Sequence, residues 1–159
     1  MRSIFVVLLS TVAFAQAAPN LSFRGQRQPH AAVTAGPADL AVKSGQKVML
    51  FVDVTPNPNI HVYAPGAKDF IPIKVTFEPQ ANVRFGKLTY PKSDTMTFAD
   101  EKVPVFQKPF RLMQEMTVLG TLKEGASVPI KGTVDYQACD DKVCYPPESV
   151  PLTWTVTVR

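Results

Sequence analysis

The sequence has few of the residues that build metal centres. It contains two cysteines and two histidines among 159 residues, whereas a structural zinc site needs four ligands of these kinds. Cys139 and Cys144 would have to recruit both His30 and His61 to complete one site. We therefore expect neither a metal nor any other cofactor.

Clusters of positive charge are also missing. The chain carries 17 Lys and Arg against 13 Asp and Glu, a formal net charge of +4, without a run of basic residues. A nucleic-acid-binding surface needs such a run or patch. So small an excess of positive charge is ordinary and predicts no nucleic-acid partner.

Long apolar segments are missing beyond the first residues. The chain opens with Arg2 and an apolar stretch that reaches Phe14, followed by the small-x-small sequence Ala15-Gln16-Ala17. Because this stretch is too short to cross about 30 Å of hydrocarbon, it predicts a cleavable signal peptide, residues 1–17. We expect the mature chain to be exported without a membrane span, into a compartment where disulfides persist.

Helix-forming segments are scarce, and strand patterns take their place. Fifteen prolines leave little room for helices, because each removes a backbone donor and clashes with the preceding turn. Apolar residues instead alternate with polar ones, most clearly in "QKVMLFVDVT", "FRLMQEMTVL", "SVPIKGTVDYQA" and "VPLTWTVTV". Alternation between turn-forming segments predicts an all-β, immunoglobulin-like antiparallel β-sandwich with Trp154 in its core.

The strand pattern also divides the chain. Residues 18–40 are rich in Pro, Gly and Ala, which predicts a flexible leader with one short edge strand around Ala32 to Thr34. Residues 41–159 form the predicted domain. Shorter β-like runs within it lie at Ile60 to Tyr63, Ile71 to Phe77, Val83 to Tyr90 and Val103 to Phe106.

Both cysteines lie in the segment "YQACDDKVCYPP", with four residues between them. Two cysteines at the mouth of one β-connection can bond, at about 5.5 Å between Cα atoms. A thioredoxin-like site needs two residues between its cysteines and a helix that starts there. In this chain the spacer has four residues, and Pro146-Pro147 prevents a helix after Cys144. Closing so short a loop contributes about 2 kcal/mol, and short exposed disulfides tend to exchange. The spacing alone leaves both a structural bridge and a redox-active dithiol open.

The charges beside the cysteines affect their reactivity. Asp140 and Asp141 would raise the pKa of a neighbouring thiol by repulsion, whereas Lys142 would lower it. A thiolate that is scarce in the free protein suits a carrier that reacts only when it is docked to a partner.

The segment "VDYQACDDKVCYPPESVPLTWTV" resembles the cysteine region of the N-terminal periplasmic domain of the thiol:disulfide interchange protein DsbD, and "IHVYAPGAKDFIPIKVTFEP" resembles that family's early strands. The likeness covers about residues 38–159. It implies an immunoglobulin-like sandwich with a redox-active cysteine pair, which accepts electrons from a thioredoxin-like domain and passes them to periplasmic thiol-disulfide proteins. By the same resemblance, Cys144 forms mixed disulfides with partners, Cys139 resolves them, and Tyr136 and Tyr145 flank the pair.

The family also shields its cysteines with a cap loop that bears an aromatic residue. In this sequence "TMTFADEKVPVF" falls in the corresponding region, and Phe98 is the best match for that residue. The match departs from the family pattern, because Asp100 and Glu101 follow Phe98 instead of preceding it. The family's membrane and C-terminal thioredoxin-like domains have no counterpart in this sequence, so we expect dependence on a separate reductant.

Two functions follow from these observations. The first is a protein-disulfide reductase-type exchange module with thioredoxin-like proteins as donor and client. The second is a secreted binding or adaptor module with a structural disulfide. A copper-handling version of this module would use His61 and three methionines, Met96, Met113 and Met116. Because Met113 and Met116 fall on opposite faces of a strand, we expect core methionines and a hydrogen-bonded histidine instead.

Overall fold

In a computed structural model, the described residues are 28–36, 39–98, 100–120 and 122–159. The predicted signal peptide and the first ten residues of the predicted leader lie outside them. Every regular element in the described part is a β-strand, and no helix there is long and apolar enough to cross a membrane. The twelve strands are β1 (Ala31–Ala35), β2 (Asp39–Val42), β3 (Lys47–Pro56), β4 (His61–Tyr63), β5 (Lys74–Phe77), β6 (Val83–Thr89), β7 (Asp94–Phe98), β8 (Glu101–Phe106), β9 (Phe110–Val118), β10 (Ser127–Tyr136), β11 (Ala138–Cys139) and β12 (Glu148–Val158).

Two four-stranded sheets form the sandwich, with strand orders β1-β3-β9-β6 and β2-β12-β10-β5. Alternating side chains from both sheets fill one core, as the sequence pattern predicts. Trp154 is fully buried there, and its indole N–H donates to the Phe51 carbonyl oxygen of the opposite sheet at 3.1 Å. The stacked rings of Phe77 and Phe85 also join the two sheets. The all-β sandwich and the core position of Trp154 are confirmed.

The start of the sandwich differs from the predicted boundary at residue 41. Strand β1 pairs with β3, which confirms the edge strand expected around Ala32 to Thr34. Strand β2 crosses the boundary and pairs with β12 in parallel, so the sandwich is not antiparallel throughout. Both strands place apolar side chains in the core, Ala31 from β1 and Val42 from β2, and this burial is what orders them.

A third, smaller sheet has the order β11-β4-β8-β7 and contains both the first cysteine and Phe98. Because β4 follows β3 and β11 follows β10, this sheet extends from the ends of two sandwich strands. The segment expected to be a cap loop is mostly a β-hairpin, in which Phe98 of β7 pairs with Glu101 of β8. Asp100 at its turn has φ 68°, a left-handed conformation that Asp tolerates better than most residues.

Candidate functional site

The two cysteines form a disulfide, with 4.1 Å between their Cα atoms. They face each other as an isolated antiparallel pair. Their exposure is unequal, because Cys139 is 1% exposed whereas Cys144 is an exposed residue. A nucleophile that approaches from solvent therefore reaches the Cys144 side of the bond.

The backbone explains how a four-residue spacer brings the sulfurs together. Tyr145 N–H donates to the Ala138 carbonyl at 2.9 Å, and Asp140 N–H donates to the Val143 carbonyl at 3.0 Å. These bonds flank the cysteine pair, which thus occupies a non-hydrogen-bonded position of an antiparallel ladder, where Cα atoms approach to about 4.5 Å. For this reason, the two Cα atoms are closer to each other than the roughly 5.5 Å typical of disulfides.

Asp140 holds the loop between the cysteines in shape. Its Oδ1 accepts hydrogen bonds from the backbone N–H groups of Lys142 at 2.7 Å and Val143 at 2.8 Å, and its Oδ2 accepts one from the Tyr145 hydroxyl at 2.7 Å. The Tyr145 hydrogen bond first, and then the two backbone donors, lower the pKa of Asp140 to about 2. The carboxylate therefore stays ionised at any physiological pH.

Three aromatic rings line a cavity together with the disulfide. The Tyr63 hydroxyl lies 3.5 Å from the Cys144 Sγ. Phe70 stacks on Tyr63 with 4.1 Å between ring centroids, and Phe98 lies 6.3 Å from Phe70 by the same measure. These rings and the loop from Cys139 to Cys144 line a small open cavity of about 150 Å³.

His61 lies directly beside the buried cysteine. It pairs in register with Cys139 across β4 and β11, is 1% exposed, and places its ring centroid 5.4 Å from those of both Tyr63 and Phe98. Its Nε2 has no hydrogen-bond partner among the described residues, so the expected hydrogen bond at that atom is absent. Burial lowers the pKa of His61, and the negative charges of Asp141 and Asp140 offset this only in part.

A second polar network lies behind the loop. The Tyr136 hydroxyl donates to Glu148 Oε2 at 2.9 Å, and the other oxygen of that carboxylate contacts the His30 Nδ1. The His30 ring stacks on Tyr145 at 3.8 Å between centroids. Burial and the Glu148 contact raise the pKa of Tyr136. Burial raises the pKa of Glu148, but the hydrogen bonds from His30 and Tyr136 outweigh it, so the net shift is downward.

The structure brings together most of the residues that the sequence suggested. Phe98, Asp140 and Asp141 line the cavity with both cysteines. Tyr145 reaches the loop through Asp140. Tyr136 instead lies in the main core.

Sequence reasoning did not place three residues of the site beside the cysteines, namely His61, Tyr63 and Phe70. It considered His61 only as a metal ligand or as a hydrogen-bonded histidine. The alternation of His61 and Tyr63 along a three-residue strand was the available signal, because it puts both side chains on one face. Nothing comparable marked Phe70.

The methionines of the copper-handling alternative do not share a site. Met96 packs against the small cluster of buried residues that includes Cys139. Met116 is buried in the main core, and Met113 lies half-buried on the other face of β9. In the described ranges, no group of three or more His, Cys, Asp or Glu residues is placed to hold a metal ion.

Comparison with protein families gives a match over most of the chain. A family described as "Thiol:disulfide interchange protein DsbD, N-terminal" matches residues 28–153. None of the curated protein sequences compared with this chain matches it.

Among solved structures, the chain is similar to the N-terminal periplasmic domain of ScsB from Proteus mirabilis, with a TM-score of 0.58 and 16% identity. The match covers 80% of this chain and 47% of that one, so this chain spans less than half the length of the ScsB chain. At this identity the match bears on the fold alone.

Two further solved structures are less similar. A family 123 glycoside hydrolase from Clostridium perfringens has a TM-score of 0.42 and 6% identity, covering 82% of this chain and 28% of that one. The major subunit of aggregative adherence fimbriae type I from Escherichia coli has a TM-score of 0.39 and 10% identity, covering 86% and 100%. Neither carries a functional implication.

Proposed function

The chain belongs to the family of N-terminal domains of the thiol:disulfide interchange protein DsbD, and we propose that it relays electrons in the periplasm. A thioredoxin-like protein reduces the Cys139–Cys144 disulfide, and the resulting dithiol reduces oxidised client proteins. The observation that carries this proposal is the unequal exposure of the two sulfur-bearing residues, with Cys144 exposed and Cys139 buried.

The exchange follows from the chemistry of thiolates. A donor thiolate attacks the Cys144 sulfur, the S–S bond breaks, and Cys139 leaves and takes up a proton. The second donor thiolate then attacks its own sulfur in the mixed disulfide, and Cys144 leaves. The donor dithiol becomes a disulfide, and two electrons and two protons pass to the cysteine pair. Reduction of a client runs the same steps in reverse.

The surface around Cys144 fits a docked partner. In the described part of the chain, the two large hydrophobic residues that are markedly exposed are Ile71 and Val143. Val143 precedes Cys144, and Ile71 follows Phe70 of the cavity wall. Exposed apolar side chains beside a reactive group favour burial against a partner.

Phe98 serves as the shield of the disulfide in this proposal. It closes one side of the cavity beside Phe70 and lies above the buried His61. A shield of this kind limits attack by small thiols and oxidants while allowing a docked partner to displace it.

Trapping with single cysteine variants tests the proposal. Cys139→Ser should hold a thioredoxin-like partner at Cys144 as a stable mixed disulfide, because the resolving thiol is gone. Cys144→Ser is the matched control and should trap far less. Equal trapping by both variants, or by neither, would refute the assigned roles.

The reduction potential separates the exchange module from a module with a structural bridge. A structural disulfide has a potential below about −300 mV and resists physiological donors. The proposed carrier should equilibrate with a thioredoxin-like donor while its fold stays intact. A bridge that no such donor reduces would rule out the relay.

A further inference from the structure

His61 is a buried titratable group for which the exchange steps above assign no role. A buried polar atom without a hydrogen-bond partner destabilises the folded state because it has lost its contacts with water, and Nε2 of His61 is such an atom within the described residues. Its position is specific, because β4 and β11 pair His61 with Cys139. Residues paired in this way have neighbouring side chains on the same face of a sheet.

Cys139 needs a proton acceptor in one step of the exchange. After the reduced protein has formed a mixed disulfide between Cys144 and a client, Cys139 must become a thiolate to resolve it. Burial in apolar surroundings disfavours the thiolate, and Cys139 is 1% exposed. The resolving step would therefore be slow if it relied on spontaneous ionisation of the Cys139 thiol.

The other polar groups near the pair are poorly suited to accept that proton. Burial raises the pKa of Tyr63, so its hydroxyl stays protonated and can only donate. Asp140 uses its carboxylate for three loop hydrogen bonds, which lower its pKa to about 2 and make it a weak base. Asp141 is exposed to solvent.

We propose that His61 is the general base that accepts the Cys139 proton in the resolving step, a role that rests on the proposed exchange function. The Cys139 thiol gives its proton to Nε2, and the thiolate attacks the Cys144 sulfur of the mixed disulfide. The bond between Cys144 and the client breaks, the Cys139–Cys144 bond forms, and the client leaves as a thiolate. The imidazolium then passes the proton to that thiolate or to solvent.

The electrostatic surroundings suit this role. Tyr63 on its own strand, Cys139 on β11 and Phe98 on β7 lie next to His61. The carboxylates of Asp141 and Asp140 in the loop act on it through their charge. Burial keeps the imidazole neutral near neutral pH, which leaves it free to accept a proton. The two carboxylates stabilise the imidazolium while it exists.

Reaction of the reduced protein with one equivalent of dithiobis(nitrobenzoate) resolves the two steps. Attack by Cys144 releases a first coloured thiolate, and intramolecular attack by Cys139 releases a second. Cys139→Ser removes the second phase and so identifies it. The variants are His61→Phe and His61→Gln, where Gln keeps hydrogen-bonding groups but does not titrate, and Trp154 fluorescence verifies their fold.

Near neutral pH, both His61 variants should slow the second phase by about 10²-fold, the lower end for general base catalysis, with the first phase unchanged. The second phase of the unsubstituted protein should reach a plateau above the depressed pKa of His61 and rise again only at alkaline pH, where the thiol itself ionises. The variants should lose the plateau and rise steadily with pH.

A second phase that keeps its rate and plateau in His61→Gln would overturn the base role. This result differs from failure of the proposed function, in which the unsubstituted protein itself would not exchange with a thioredoxin-like donor. If His61→Phe does not fold, His61→Gln and the pH profile of the unsubstituted protein still decide the matter. Absence of the plateau in that profile would also overturn the proposal.

Discussion

At the scale of single residues, the site assigns different environments to two chemically identical side chains. Cys144 is exposed and lies beside the Tyr63 hydroxyl, whereas Cys139 is buried beside His61. A hydroxyl donor favours negative charge on a nearby sulfur, and burial opposes it. The two sulfurs therefore suit different steps. Cys144 suits the attack on a partner, and Cys139 suits the step that releases the partner.

Replacing Phe98 by alanine should expose the disulfide. We expect dithiothreitol to reduce the disulfide of Phe98→Ala about tenfold faster than that of the unsubstituted protein. This corresponds to an activation free energy that is lower by about 1.4 kcal/mol. Phe51→Ala is the control, because Phe51 is a half-buried ring of the sandwich that packs under Arg111 instead of at the cysteines. An unchanged rate for Phe98→Ala would mean that this ring does not shield the bond.

Asp140 should titrate at about pH 2 in the oxidised protein. Because its pKa in the folded protein lies below the ordinary 3.8, its hydrogen bonds stabilise the loop fully above that value and are lost as the pH falls through about 2. In Tyr145→Phe the pKa should rise, since the Tyr145 hydroxyl is the largest cause of the shift. The carboxyl carbon signal in NMR measures both values, and an identical pKa in the variant would contradict this explanation.

At the scale of elements, short strands position the site. Three-residue β4 carries both His61 and Tyr63, and two-residue β11 carries Cys139. Neither strand would be stable alone. Each is held because the longer strand before it, β3 or β10, is fixed in the sandwich, and the β7–β8 hairpin completes their sheet.

The His30–Glu148–Tyr136 network should anchor β1 to the strands that lead into and out of the cysteine loop. Glu148→Ala removes the nearer acceptor of the buried Tyr136 hydroxyl and leaves it only the longer hydrogen bond to the Ala31 carbonyl at 3.3 Å. We expect the variant to lower the free energy of unfolding by about 1–3 kcal/mol. Glu124→Ala is the control, because Glu124 is exposed in the turn before β10. Urea unfolding measures both, and equal stabilities would show that the network contributes nothing.

At the scale of the whole molecule, the stability resides in the sandwich. The core contains Trp154 and alternating side chains from both large sheets, whereas the disulfide closes a loop with a sequence separation of 5. So short a loop adds about 2 kcal/mol, less than the 5–15 kcal/mol typical of a domain. The scaffold can therefore stay folded while the bond opens and closes.

The reduced protein should remain folded with a modestly lower urea midpoint. Because Trp154 is fully buried in the core of the sandwich, its emission should keep the wavelength of the oxidised protein until unfolding. Cys139→Ala with Cys144→Ala gives the matched protein without a disulfide. If reduction alone unfolds the chain, the bridge is structural and the relay cannot operate.

The sequence by itself determined the β class, the sandwich core and the cysteine pair, because alternation with a period of two and a conspicuous cysteine motif are local patterns. It also led to Phe98. The tertiary structure decided the rest. The alignment of His61 with Cys139, the contact of Tyr63 with Cys144 and the parallel addition of β2 join residues that are distant in the chain. Such pairings depend on strand register and on which short strands the sandwich can hold in place, and no local pattern encodes them.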